Sequence, residues 1–469
     1  MSINYRGLLK SVSVALFAQG VTMLVSMVTT LIVPRVLGVE EFGYWQLFIF
    51  YSSYVGFFHL GLNDGVYLTN GGASRQSIDK PSIKAQFLVG STFQAIFGIG
   101  VLFLLATAGF GSDRDFVIFT TIIYMVLKNA ALYLGYVFQA INETGLYSIS
   151  CIAERVSFLL PLLVLVIAHI DKFQFYIVIL LFSTLIQLVY CLYHARDFIS
   201  TNCLDLSASL SACRASILTG AKLMFANVAS MLILGFARFV IDGIWGIETF
   251  GKLSLALSLV NFFLSFVMQV SMVLFPELRR IDKSELCIFF NRVRSVLSVL
   301  LPLIYLLYFP LRAFICSWLP DYVSCLPYIL ILLPICVFDA EMNLASTTIF
   351  KVLRLESQLF SINLITALIS VVFSICGGYL LHSVDLILLG SCFCVIWRNI
   401  YSDRLLQREL DADDSRLQTV GLLLLSVLFI FMIKSFPAWL ACVVYLLGYF
   451  VFIVIIKNAV GGLFKKENG

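Results

Sequence analysis

The sequence predicts an all-α, polytopic membrane protein with about fourteen transmembrane helices. Three observations predict it: an apolar composition, long apolar runs between short polar stretches, and an asymmetric placement of Lys and Arg. Hydrophobic residues make up 61% of the 469 and charged residues 12%, against about 45–50% and 25% in an average globular domain. Surface-to-volume scaling does not let a soluble chain of this length hide that surplus in one core. The surplus must face lipid.

A span needs about 20 mainly apolar residues. Such runs cover 11–33, 42–62, 85–110, 116–140, 151–168, 173–194, 217–239, 253–275, 295–318, 326–350, 359–381, 384–397, 420–433 and 438–456. The twelfth and thirteenth are short, so twelve or thirteen spans stay open. The first run is too long for a signal-peptide core and lacks a small-x-small cleavage site, which predicts an uncleaved span. With the N-terminus inside, 23 of the 31 Lys and Arg fall on the inner side and 7 on the outer, with Lys128 alone mid-span. The positive-inside rule then predicts an even count with both termini in the cytoplasm. No loop reaches the size of a catalytic or receptor domain. Cys316 and Cys325 flank an expected outer loop, where pairing is open beside the plainer use as apolar thiols. Cys392 and Cys394 sit two apart in an apolar run and point to different helix faces, so they form no metal clip.

Gly38-Val39-Glu40-Glu41-Phe42-Gly43 recurs as Gly246-Ile247-Glu248-Thr249-Phe250-Gly251. Both copies read G-x-E-x-F-G, both are expected in an outer loop, and both lead into a long apolar helix. Six spans separate them, and an even offset gives two repeats of the same topology about an axis along the membrane normal. The expected division is a six-helix lobe over 1–200, a second over 201–417, and a helix pair with a tail over 418–469. That architecture belongs to carriers working by alternating access.

A charge at the bilayer centre costs about 2.5–3.5 kcal/mol on insertion scales, so each one asks for a reason. Lys128 is too deep to snorkel; it either pairs with a neighbouring helix or lines a cavity. Asp339 and Glu341 lie mid-span about 200° apart around their helix, and either is a possible partner for Lys128 or a carboxylate that exchanges an ion. Ser254, Ser258, Asn261, Ser265 and Gln269 form one polar stripe, with Gln19, Thr22, Ser26 and Thr29 on the first span and Ser52, Gly56, His59 and Asn63 on the second. Such residues serve as packing glue, but five on one stripe favour a wet cavity. Arg238 and Asp242 form an i, i+4 pair, and the last two spans are expected to face lipid. The four histidines are dispersed and there is no Walker loop, so neither a metal cluster, a cofactor nor ATP hydrolysis is expected. No nucleophile–base constellation suggests an enzyme.

Leu37-Gly38 and Phe42-Gly43 ahead of a span, followed by Leu60-Gly61-Leu62-Asn63-Asp64-Gly65 at its inner end, resemble the polysaccharide transporter family. These are flippases for lipid-linked O-antigen and capsule repeat units, in the exporter superfamily that includes multidrug extruders and the peptidoglycan-precursor flippase. The resemblance implies an inner-membrane carrier for an undecaprenyl-pyrophosphate-linked oligosaccharide, with membrane lipid around it, a polysaccharide polymerase as a partner and no nucleic acid. It implies that Lys128, Arg238 and Arg35 attract the pyrophosphate, that Asn261, Gln269 and His59 bind sugar hydroxyls, and that Asp339, Glu341 or Asp64 couples to H+ or Na+. Lys128 is the only mid-span cation, which departs from a strongly cationic interior. A multidrug–cation antiporter on the same architecture is the alternative.

Overall fold

Apolar runs without water can satisfy their backbone only as helices or closed barrels, and this chain takes the helical solution. The computed structural model describes residues 20–108, 111–202, 205–278 and 282–466. Arg6, Lys10, Gln19, Arg279 and Arg280 lie outside the described residues, as do the side chains of Gln269, Lys457, Lys465 and Lys466. Among the described residues every regular element is a helix. The first of them are α1 (Gly20–Leu31), α2 (Val33–Tyr54) with a 3₁₀ turn over Val55–His59, α3 (Leu62–Asn70), α4 (Lys80–Ala108) and α5 (Ser112–Ala140). Next come α6 (Thr144–Ile167), α7 (Phe173–His194), the short α8 (Arg196–Ile199) and the long α9 (Leu206–Leu278). The rest are α10 (Lys283–Leu300), α11 (Tyr308–Trp318), α12 (Leu326–Glu341), α13 (Thr348–Val352), α14 (Glu356–Ile375), α15 (Val384–Leu410), α16 (Arg416–Ser435) and α17 (Ala438–Lys466).

Among the described residues eleven helices are long and apolar enough to cross a bilayer, or up to twelve if α1 and α2 with its turn, bent by 70°, make one broken span. The expected fourteen is not reproduced as a count, for a physical reason. The first two expected spans form that bent pair, and the seventh and eighth lie on one apolar helix of 39 residues, Asn227–Ser265. At 1.5 Å per residue that helix is about 58 Å long, near twice a hydrocarbon core. It is broken at Gly246, φ 77°. Each copy of the repeat motif carries a helix break: Gly38 in α2 has φ 71° and Gly246 in α9 matches it. Only glycine takes that conformation without strain.

The duplication extends well beyond the motif. Asn142 and Arg354 both take left-handed φ, 63° and 57°, and so do His169 and His382, 51° and 46°. Around the first two, the Glu143 amide donates to the Phe138 carbonyl and the Leu355 amide to the Phe350 carbonyl, both at 2.8 Å. Residues 142 and 354 thus mark the same turn in two copies.

The chain divides into one unit of Met1–Val228 with Ile247–Gly251, and another of Ala229–Gly246 with Lys252–Gly469. In the first, α5 packs on α2, α3, α4, α6 and α7. Two glycine seams tighten it. A Cβ on Gly43 would stand 2.6 Å from the Ile247 carbonyl oxygen, and one on Gly65 1.9 Å from that of Ser216. Small residues at such crossings let backbones touch. At one end of this unit Arg75 ties three elements together, meeting Glu143 at 2.6 Å and Asp197 at 2.9 Å, with Lys80 also 2.9 Å from Asp197. Phe198 lies under both cations. In the second unit α16 and α17 dock through Tyr305 to Ser426 at 2.6 Å and through Tyr445 and Tyr449, each 2.7 Å from a carbonyl at the α10 terminus, Pro302 and Val299. Their other side is exposed at Leu424, Leu447 and Phe450.

Two measurements check this packing. Gly65→Ala should lower the thermal unfolding midpoint in detergent, at a cost of about 1–3 kcal/mol from overpacking, whereas Gly100→Ala, which meets nothing within 4 Å, should leave it unchanged. The Arg75 and Lys80 hydrogen bonds hold the Asp197 carboxyl down at about 2, below its ordinary 3.8. Its contribution to stability is therefore fully present above about pH 4 and lost as pH falls towards 2. Asp197→Asn should flatten the stability profile across that window and leave its neutral-pH slope alone.

Candidate functional site

The buried face of α6 follows Ser150, Glu154, Phe158 and Leu162 at helical spacing, which aims one carboxylate at α5. Lys128 on α5 meets it: Nζ donates to both Glu154 oxygens at 2.7 Å and to Gln187 Oε1 on α7 at 3.0 Å. Thr184 donates to Glu154 Oε1 at 3.3 Å. The Glu154 side chain is 3% exposed and that of Lys128 15%. Removing one partner of such a pair strands a buried charge, at about 3–5 kcal/mol. The expected partners of Lys128, Asp339 or Glu341, are thus replaced by Glu154. Sequence reasoning missed it because the fifth span was expected from 151, whereas α6 starts at Thr144 and carries Glu154 ten residues in. The buried stripe through Ser150 and Phe158 was the available signal.

Beside the lysine, Asn129 donates to the Val55 carbonyl at 2.8 Å and to Gln94 at 2.9 Å, while Asn63 donates to the Asn129 carbonyl at 3.4 Å. This chain of amides satisfies backbone where α2 gives way to its 3₁₀ turn. His59 closes that turn: its Nδ1 accepts the Gly61 amide at 3.0 Å, and its Nε2 lies 3.9 Å from Asp64. The structure thus brings His59 and Asp64 together, with Asn63 leading to the residue after Lys128.

In the second unit, Asp339 on α12 pairs with Arg398 on α15 and accepts from Asn343 at 3.1 Å. Arg398 also donates to Ser230 at 3.3 Å, and Asn399 to the Phe338 carbonyl at 3.0 Å. A π-turn over Met342–Thr347 follows and adds one residue to the helix. Upstream of it, the offset between the copies falls from 212, as at 142 and 354, to 211. Lys128 then corresponds to Asp339. Equivalent positions carry opposite polarity: cation on α5 in one copy, carboxylate on α12 in the other.

Glu341 is buried, within electrostatic reach of Arg294 and Asp403, which themselves pair at 3.2 Å. Arg238 donates to Ser254 at 2.9 Å, so one member of the expected polar stripe is a hydrogen-bond acceptor for a cation. Ser265 bonds its own helix at Phe262. Arg35 and Asn261 are exposed, and the Gln269 side chain lies outside the described residues. Cys316 and Cys325 are free thiols. Arg294 and Arg398, both nearly buried, were expected to sit at the inner span ends. Both are paired with carboxylates, Arg294 with Asp403 and Arg398 with Asp339.

Comparison with known proteins gives the fold a setting. The structure is similar to that of the lipid II flippase MurJ in an inward closed conformation, with a TM-score of 0.68 and 12% identity over 96% of this chain and 99% of that one. It is also similar to a multidrug resistance MATE family transporter of the MOP superfamily in an inward-facing conformation, with a TM-score of 0.60 and 10% identity over 83% and 95% of the two chains. At these identities the likeness is one of fold. No curated protein matches the sequence. The pattern of one sequence family, described as polysaccharide biosynthesis protein, matches residues 8–282. This multi-pass helical membrane chain, matched over more than half its length, belongs to the polysaccharide biosynthesis protein family.

Proposed function

We propose that the chain is a flippase that moves undecaprenyl-pyrophosphate-linked oligosaccharide repeat units across the bacterial cytoplasmic membrane for surface polysaccharide, O-antigen or capsule. It works by alternating access, with both termini cytoplasmic and with H+ or Na+ as the coupling ion. The observation that carries this reading is the Lys128 cluster, a cation held by the Glu154 carboxylate and by Gln187, with Thr184 donating to that carboxylate, in a family of polysaccharide biosynthesis. A pyrophosphate needs cationic partners away from water, and sugars need donors and acceptors that would otherwise be costly in a membrane. The polyprenyl tail needs neither and stays in lipid.

In this reading Lys128, with Arg238 and Arg35, attracts the pyrophosphate, and His59, Asn261 and Gln269 contact sugar. Asp64, next to His59, and Glu341 are the carboxylates open to ion exchange. Asp339 is held by Arg398 and serves mainly as its counter-ion. A polymerase that consumes the delivered repeat unit is the natural partner.

Deleting the gene should abolish surface polysaccharide while lipid-linked repeat units accumulate on the cytoplasmic leaflet. Normal export in the deletion strain would overturn the reading, and a gain in sensitivity to cationic dyes with normal export would favour a multidrug–cation antiporter. A second comparison separates function from stability. Lys128→Met alone should cost about 3–5 kcal/mol, and Lys128→Met with Glu154→Met should recover most of it, because apolar replacement of a buried pair is near neutral. The double variant should insert and melt as wild type does yet restore no surface polysaccharide.

A further inference from the structure

The opening of α9 is unlike the rest of that helix. Its apolar window starts only at Asn227, and before it Leu210, Arg214, Leu218 and Lys222 follow at successive i+4 positions, all exposed. The opposite face carries Ser209, Cys213, Ser216 and Gly220, all buried. Ser216 and Gly220 press on the backbone of Gly65 and Gly61. A helix with small residues on one face and alternating leucine and cation on the other suits the bilayer interface.

Beside this stripe a groove of about 280 Å³ opens within the first unit. Phe58, Leu62, Val89, Phe93, Ile217 and Leu218 make its wall almost wholly apolar, and Arg214 also lines it. Leu218 is 67% exposed and Phe93 45%, so the groove opens outward. Its volume is at or below the lower end of pockets that enclose a whole ligand, about 300–1,000 Å³. It fits a segment of an acyl chain whose head stays outside. Among the described residues neither Arg214 nor Lys222 has a carboxylate partner, which leaves two cations beside an apolar slot.

We propose that this groove binds an anionic glycerophospholipid of the surrounding bilayer, one acyl chain between α4 and the start of α9 and its phosphate on Arg214. Lys222, two turns and about 12 Å further along α9, adds attraction for the same headgroup. Through His59 and Gln94 the groove borders the amide chain beside Lys128, and lipid binding there is measured without any transport.

The test is native mass spectrometry of the full chain in detergent, equilibrated with equal amounts of phosphatidylglycerol, phosphatidylcholine and undecaprenyl phosphate. The wild type should retain phosphatidylglycerol over phosphatidylcholine by about fivefold or more, the attraction expected per surface cation. Arg214→Glu should abolish that preference and Arg214→Lys keep most of it. Leu218→Asp should reduce retention of both phospholipids. Both substituted positions are exposed, so unchanged thermal midpoints show that the variants fold. An undiminished preference in Arg214→Glu would overturn the proposal, as would undecaprenyl phosphate outcompeting both phospholipids.

Discussion

Within a bilayer no water is at hand to complete a hydrogen bond, so the protein must supply the partner of each polar group it buries. That constraint shapes this chain at every level. It forces the backbone into helices, and where helices break it recruits side chains. Asn129 serves the Val55 carbonyl at the end of α2, and Tyr445 and Tyr449 serve the Pro302 and Val299 carbonyls at the end of α10. For charges the demand is stricter. Lys128 has Glu154, Arg398 has Asp339 and Arg294 has Asp403.

The two copies of the repeat show what packing does and does not dictate. Left-handed glycines at 38 and 246, left-handed turns at 142 and 354, and the shared hydrogen bonds at those turns are common to both. The charges are not. Where the first copy has Lys128 on α5, the second has Asp339 on α12. One scaffold position accepts either sign, so the helix packing itself does not require a cation there. The sign at Lys128 is matched by its partner Glu154 rather than set by the helix packing.

Much of the fold was legible in the sequence, and for simple reasons. Apolar runs report burial in lipid directly, and a glycine-bearing motif repeated at matching places in the topology reports duplication. The span count was less legible, because Gly38 and Gly246 break helices that hydropathy divides at the same places. The site was the least legible part. Lys128 stands out by depth alone, but its partner depends on which face of α6 meets α5. Glu154 sits beside Arg155, three residues into the run expected from 151. The single residue added by the π-turn at Met342–Thr347 leaves no mark in composition, yet it sets which residue of α12 faces Arg398.

The proposed function requires a carrier that moves a charged lipid-linked sugar through a low-dielectric interior. Its most direct measurement is transport by the purified chain in proteoliposomes loaded with undecaprenyl-pyrophosphate-linked oligosaccharide, following exposure of the sugar on the opposite leaflet to an impermeant glycosidase. The wild type should expose the oligosaccharide well above the protein-free rate under an imposed proton or sodium gradient. Proteoliposomes that match the protein-free rate under both gradients, with the chain inserted and folded, would contradict it.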